Sequence, residues 1–390
     1  MRLSLLSSPS ICLRRWRANC RIAAAGAGRS QLRSEMPRTV CVTGASGYCG
    51  TSLVLELLRN GDSVHACARS QTEVEQWQSA FRDEPGVLSD RVRFFIVPHI
   101  DVAGAIDEAV RDCDAVAHLA MPIFPNIQDT KRDGLDPAIR GTVYALRSAA
   151  HESCVKCFVL LSSIVTMGTM LRDDRPVSRD EWFETSEQIA LSVDHKGYVY
   201  VCAKTLAERA AWDFVAAERP RFAFCAICPG YVFGAPLPPS VTRETVLSSG
   251  SYSMPASILL DPQTAVTEEA GIWDPGECYL TDVGDLARAM RLSLEQAETV
   301  NGKRYPLVSG IWSMAAATRL FRSWYPDRAH GMASVADSFV AAPSRRFSDD
   351  DRELVERDLG FAQTPIERTL RATADAVFAV HDRECTRDDA

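Results

Sequence analysis

The chain has 390 residues, 46% of them hydrophobic and 24% charged, with a formal net charge of −8. That length can bury one large core or two unequal ones, and the negative balance argues against a broad nucleic-acid footprint. No apolar run approaches the roughly 18–20 residues that cross a bilayer, so no membrane span is expected.

The charge is uneven along the chain. Residues 1–35 hold seven arginines (Arg2, Arg14, Arg15, Arg17, Arg21, Arg29 and Arg33) against one acid, Glu35. An Arg-rich, Ser-containing, acid-poor start reads as a disordered or transit-like leader outside the fold. The expected location is cytoplasmic, or mitochondrial or another organelle if the leader is a transit peptide.

From Arg38 onward, short apolar runs alternate with helical stretches. "TVCVTG" (39–44) is a β-branched strand that ends in glycine, and a helix runs through "TSLVLELLRN" (51–60). Strands follow at 63–68, 92–97 and 115–120, with helices at 71–82 and from 105. After an irregular stretch come a helix over 136–150, a strand over 157–163, a long helix over 197–218 and a strand over 222–230. Strands that are apolar throughout and alternate with helices indicate a parallel sheet covered on both faces.

Beyond Gly234 the texture changes: 240–271 reads as irregular, 277–297 as strand then helix, and the tail from about 313 as helical and charged. The expected fold is α/β, a Rossmann-type doubly wound parallel sheet (36–235) with a smaller C-terminal substrate-binding region (236–390). Residues 277–297 are expected to return to the sheet domain.

Thirteen cysteines include two pairs at chelate spacing, Cys154/Cys157 and Cys225/Cys228. Both pairs lie in or beside strand-like runs, where positions i and i+3 face opposite sides and cannot close on one metal. Buried, reduced thiols are the expectation, and no metal site.

"TGASGYCG" sets Gly44, Gly47 and Gly50 between the first strand and first helix. Glycines there let backbone approach a pyrophosphate at a helix N-terminus. The G-x-x-G-x-x-G spacing meets the dinucleotide fingerprint only approximately. At the end of the second strand an acid would take a ribose 2′-hydroxyl, and an arginine would suit a 2′-phosphate. Arg69 stands there, with no acid between residues 63 and 72. A solvated surface arginine is the plainer alternative.

"GYVYVCAK" (197–204) offers two tyrosines to one lysine. Residues four apart share a helix face, which pairs Tyr200 with Lys204; Tyr198, six back, points elsewhere. A nearby ammonium lowers a phenol's pKa and suits it to trade a proton with a carbonyl oxygen. At the end of the fifth strand "LLSSIVTMG" supplies Ser162 and Ser163, where a hydroxyl could hold that oxygen.

Taken in order, "VTGASGYCG", "ARSQ", "AVAHLAMP", "LDPAIRGT", "VKCFVLLSS", "YVCAKTLAERAAWDF", "CPGYVFG" and "YLTDVGDLARA" resemble the extended short-chain dehydrogenase/reductases. Within them the chain is similar to the dihydroflavonol-reductase-like branch, with cinnamoyl-CoA reductases and fungal NADPH-dependent aldehyde/ketone reductases. The resemblance implies a catalytic set of Ser163, Tyr200 and Lys204, with Lys204 and Tyr200 also at the nicotinamide ribose. It implies NADP(H) held by Gly44, Gly47, Tyr48 and Gly50 at the pyrophosphate and Arg69 at the 2′-phosphate. Asp101 is implied near the adenine, with Ala120 and Pro229 at the nicotinamide side. The chain departs from the branch at His99 in "VPHID", Met121 in "HLAMP" and Arg140 in "PAIRGT".

The expected activity is reduction of a small-molecule aldehyde or ketone, by a monomer or homodimer without nucleic-acid or membrane partners. Met121, Ile123, Phe124, Met167 and Trp182 are the expected apolar lining. A 3β-hydroxysteroid-type dehydrogenase or a nucleotide-sugar epimerase/dehydratase would share the Ser/Tyr/Lys set. Against the epimerase stands "SSIVTMG" where "SSATVYG" is usual. A catalytically idle NADP-sensing regulator typically loses the tyrosine or lysine, and this chain keeps both.

Overall fold

The computed structural model describes residues 37–388 other than 89, 122–127, 170–175, 194, 237, 239, 243–244, 248–249, 265, 267–276 and 337–344. The leader 1–35 and two expected lining residues, Ile123 and Phe124, lie outside the described residues.

Among the described residues, seven parallel strands make the main sheet. They are β1 (Thr39–Thr43), β2 (Ser63–Ala68), β3 (Val92–Ile96), β4 (Ala115–His118), β5 (Cys157–Leu161), β6 (Ala223–Pro229) and β9 (Lys303–Leu307). Their spatial order is β3-β2-β1-β4-β5-β6-β9. Every residue of β4 is buried, as are Val40, Cys41, Val42 and Thr43 of β1. Such strands are stable only with both faces covered.

Alternation along the strands divides the core in two. Val40, Val42 and Val159 face one layer, and Cys41, Phe158 and Leu160 the other. The first layer is covered by α1 (Tyr48–Arg59), α2 (Gln71–Phe81), α5 (Val283–Glu295) and α7 (Asp349–Leu359). The second is covered by α3 (Asp136–His151) and α4 (Lys196–Glu218), which pack on each other. The chain runs from β1 outward to β3, then crosses back to place β4 on the other side of β1. That reversal opens a crevice beyond the carboxyl ends of β1 and β4, where open α/β sheets bind ligands.

A three-stranded sheet, β7 (Tyr231–Phe233), β8 (Cys278–Asp282) and β10 (Gly310–Trp312), runs in the order β10-β8-β7. Phe233, Tyr252, Trp312 and Phe321 build a third core there, closed by α6 (Met314–Trp324) and α8 (Ile366–Asp388). The stretch 240–271, expected to be irregular, contains a helix over Ser253–Leu260. Pro255 does not prevent it, because it falls in the first turn, where amides have no intrahelical acceptor.

Between β8 and β10 the chain returns to the main sheet. Helix α5 packs on α1, and β9 pairs with β6 through Cys225–Lys303 to Pro229–Leu307. Gly230, at the exit from β6, allows the small sheet to sit close, since a Cβ there would lie 2.4 Å from Tyr279 O.

Candidate active site

The first turn after β1 is shaped by missing side chains. Gly44 has φ +67°, and a Cβ on it would lie 3.0 Å from Ala120 N. A Cβ on Gly50 would meet Gly44 O at 2.0 Å, so α1 starts tight against the loop. Gly47 precedes α1 as its N-cap residue and donates its amide to Gly44 O at 3.1 Å. The turn therefore aims the first amides of α1 into the crevice, an anion-binding arrangement. Thr43 ties the cradle to β4: its Oγ1 accepts the amides of Leu119 at 3.0 Å and Ala120 at 3.1 Å and pairs with His118 Nδ1 at 2.9 Å. The Tyr48 side chain turns away from the cradle, donating to Gly234 O at 2.8 Å and lying edge-on to Tyr252.

Arg69 follows β2 directly, with its side chain 80% exposed. It is not without an acid, as the stretch 63–72 suggested. Glu73, in the first turn of α2, takes its guanidinium at 2.9 Å and its backbone amide at 3.2 Å. Glu73 also accepts the Ser46 hydroxyl at 2.6 Å, so one carboxylate joins the glycine loop to the end of β2. Although burial works against it, these hydrogen bonds and the Arg69 charge hold that carboxyl below its usual range. The signal was present in "SQTE": Ser70 caps α2 and accepts the Glu73 amide, as in a capping box.

Asp101 lies half-buried in the turn after β3, and His99 beside it is exposed. Pro229 is the buried last residue of β6, in register with Leu307.

Ser163 and Ser162 stand just past β5 and face different neighbours. The Ser162 hydroxyl donates to the Glu208 carboxylate. Ser163 caps the 3₁₀ turn Ile164–Met167, and its side chain faces the Tyr200 phenol and favours its ionised form. Tyr198 packs instead on Phe183, ring centroids 5.6 Å apart. The two tyrosines of α4 thus occupy separate surroundings, as their angular separation requires.

Lys204 Nζ donates to Leu161 O at 3.0 Å, from the helix to the end of β5. Burial pushes this ammonium down to about 8, opposed by Cys49, Glu208 and Cys228. The Tyr200 phenol is not lowered as expected: burial pushes it up to about 12, Cys49 adds to this, and the Ser163 hydrogen bond opposes it. Desolvation of the anionic form dominates, and the Lys204 ammonium is directed at a backbone carbonyl. His118 is pushed down to about 3 by burial and by the Lys204 charge, so it is neutral beside the lysine.

A pocket lined by His118, Ala120, Met121, Ser162, Lys204 and Glu208, among others, lies behind these groups. Met167 and Trp182 do not behave as an apolar lining. Met167 is fully buried in the second core, and Trp182 lies under the Arg304 guanidinium, 3.9 Å from its ring centre.

A doubly wound sheet with a glycine cradle at its switch point, and a serine, tyrosine and lysine beyond the neighbouring strands, defines an extended short-chain dehydrogenase/reductase. The chain belongs to the NAD dependent epimerase/dehydratase family, whose model matches residues 40–307. Aldehyde reductase 2 of Sporidiobolus salmonicolor is 32% identical over 309 residues, covering 74% of this chain and 82% of that protein. Cinnamoyl-CoA reductase CAD2 of Medicago truncatula is 28% identical, covering 88% of this chain and 97% of that one. The structure of Gre2 in complex with NADPH from Candida albicans has the same fold, with a TM-score of 0.77 at 24% identity, over 88% of this chain and 100% of that one. No helix among the described residues is long and apolar enough to cross a membrane.

Proposed function

We propose that this protein is an NADPH-dependent carbonyl reductase that takes an aldehyde or ketone to its alcohol. The reading is carried by Ser163 standing beside the Tyr200 phenol, whose pKa it lowers, with Lys204 one turn further along α4. The names of its relatives, an aldehyde reductase and a cinnamoyl-CoA reductase, support the substrate class. The NADPH of the Gre2 complex supports the cofactor.

The residues present fit that cofactor, because Gly44 and Gly50 let the loop close tight against Ala120 and the start of α1, so that backbone and not side chain borders the helix N-terminus. Gly44, Gly47, Tyr48 and Gly50 would hold the pyrophosphate through backbone, and Arg69 the 2′-phosphate. Asp101 would lie toward the adenine, Ala120 and Pro229 toward the nicotinamide, and Tyr200 and Lys204 at its ribose. When bound, the dihydronicotinamide supplies hydride. Ser163 holds the carbonyl oxygen by a hydrogen bond, and the Tyr200 phenol donates its proton to that oxygen. A phenol held at about 12 arrives protonated. It yields the proton only as the oxygen gains alkoxide character, when the driving force favours transfer. Lys204 then stabilises the phenolate left behind. On this reading residues 36–235 bind the cofactor and 236–390 supply most of the substrate side, with 277–297 returning to the cofactor domain.

The test is the loss of NADPH absorbance against a panel of aldehydes and ketones, with NADH in parallel. Turnover with NADPH is expected. NADPH binding without turnover across the panel would leave a cofactor-binding protein and remove the reductase reading.

A further inference from the structure

Behind Ser163 and Lys204 lies a buried ion pair that the proposed chemistry does not use. Glu208, 1% exposed, sits one turn beyond Lys204 on α4. Arg304, 7% exposed, comes from β9 and donates its Nε to Glu208 Oε1 at 2.7 Å. A buried pair of this kind is seldom a stability device, since apolar residues of similar volume often serve as well or better. Its hydrogen bonds converge on one short segment.

Glu208 accepts from Ser162, the residue before Ser163, and lies 2.8 Å from Thr166 Oγ1. Thr166 Oγ1 is also 2.8 Å from Ser163 O and accepts Arg304 Nη2 at 2.9 Å. Arg304 Nη1 donates to the carbonyls of Arg179 at 2.5 Å and Glu181 at 2.8 Å, and its plane covers Trp182. Phe183 N in turn donates to Thr166 O at 2.8 Å. The pair thus grips the serine turn on both sides of Ser163, and the strap 179–183 that lies over it.

The same carboxylate bears on Lys204. The charged and titratable groups facing that lysine are Cys49 from α1, His118 from β4, Cys228 from β6 and Glu208 on α4 itself, with Tyr200 one turn back on the same helix. Arg304 stands behind Glu208 from β9. Burial holds both cysteine thiols in the neutral form well above neutral pH, and His118 is neutral. Glu208 is therefore the carboxylate among them, and its charge opposes the desolvation of the ammonium.

We propose that Glu208 and Arg304 are positioning residues of the site: together they fix the turn that carries Ser163, and Glu208, one turn from Lys204 and lining the same pocket, is the counter-charge of that lysine. The roles of Ser163 and Lys204 in this inference rest on the carbonyl-reductase reading. The pair's hold on the turn and on the lysine charge does not.

The chain has five lysines (Lys131, Lys156, Lys196, Lys204 and Lys303), few enough to titrate individually by NMR after ¹³C labelling at Cε. Lys204→Met assigns the resonance. Glu208→Gln keeps the shape and one acceptor oxygen but removes the charge. It is expected to move the Lys204 midpoint down by about one unit. In the same variant kcat should fall roughly tenfold, most steeply on the alkaline side, with the NADPH Kd unchanged within about twofold. Because the single variant leaves Arg304 alone in the core, Glu208→Gln/Arg304→Gln is measured beside it, with no lone buried charge. That double variant should also titrate below wild type and lose kcat. An unmoved Lys204 midpoint in whichever variant folds overturns the proposal, as does a kcat loss equal at every pH. Should wild type reduce no carbonyl, the reductase reading falls and the Lys204 titration still decides the charge role.

Discussion

Glu73 closes back on Arg69 across one turn of α2, its carboxylate 2.9 Å from the guanidinium, while holding the Ser46 hydroxyl at 2.6 Å. A carboxylate therefore stands beside the cation proposed for the 2′-phosphate, and the two anions compete for it. Arg69→Ala should raise the KM for NADPH more than for NADH. Glu73→Gln should tighten NADPH about two- to fivefold, the scale of an exposed ion pair, and leave NADH nearly unchanged. Fluorescence titration of both nucleotides reads this directly. Equal shifts for the two, or a wild type that prefers NADH, would refute the assignment of Arg69.

The surroundings of the two tyrosines on α4 make a sharp comparison. Tyr200→Phe removes the hydroxyl that meets Ser163, so kcat should fall by roughly 10²–10⁴ while cofactor still binds. Tyr198→Phe leaves the ring against Phe183 and should cost little in rate. Steady-state assays at saturating NADPH decide it. A dead Tyr198→Phe with an active Tyr200→Phe would require the site to be redrawn.

A further pH dependence is built into the N-terminus of α5. Asp282 caps that helix and accepts Thr369 Oγ1 at 2.8 Å, and Asp285 accepts Thr364 Oγ1 at 3.0 Å. Burial and then the neighbouring Asp282 charge raise the Asp285 carboxyl to about 7. An acid with a raised folded pKa binds its proton more tightly when folded, so its stabilising contribution is full below the ordinary aspartate range and is lost as pH rises to about 7. Asp285→Asn keeps an acceptor without the charge. Its melting temperature relative to wild type should climb as pH rises from about 4 to about 7 and then level off. The difference isolates this group from His118, whose lowered folded pKa gives the opposite slope below about 6.5. A constant offset at every pH would show that Asp285 does not titrate in this range.

The main sheet was legible because its central strands are apolar on both faces, which leaves few alternatives to a covered parallel sheet. The serine, tyrosine and lysine were legible for a different reason: helical periodicity singles out Tyr200, and resemblance to a family singles out Ser163. The small sheet was missed because β7 and β10 are three residues each, too short to show a period. Glu73 was overlooked although Ser70 marks the start of its helix. Glu208 and Arg304 were invisible for a physical reason. A charged residue in "AERAAW" or "KRYPL" reads as solvated until a partner from elsewhere in the chain is seen to bury with it.

The arginines that hold the serine turn come late. Arg304 belongs to β9, and Arg345 donates to Gly168 O at 3.1 Å and to Pro176 O at 2.8 Å. Synthesis is vectorial, and folding units tend to form as they emerge. The glycine cradle and the strand beside it are complete once Ala120 has left the ribosome. The half that carries Ser163 must wait until β9 closes the sheet edge and Arg304 reaches Glu208. A newly made chain therefore passes through an interval in which its glycine cradle can be built while its serine turn still lacks the arginines that hold it.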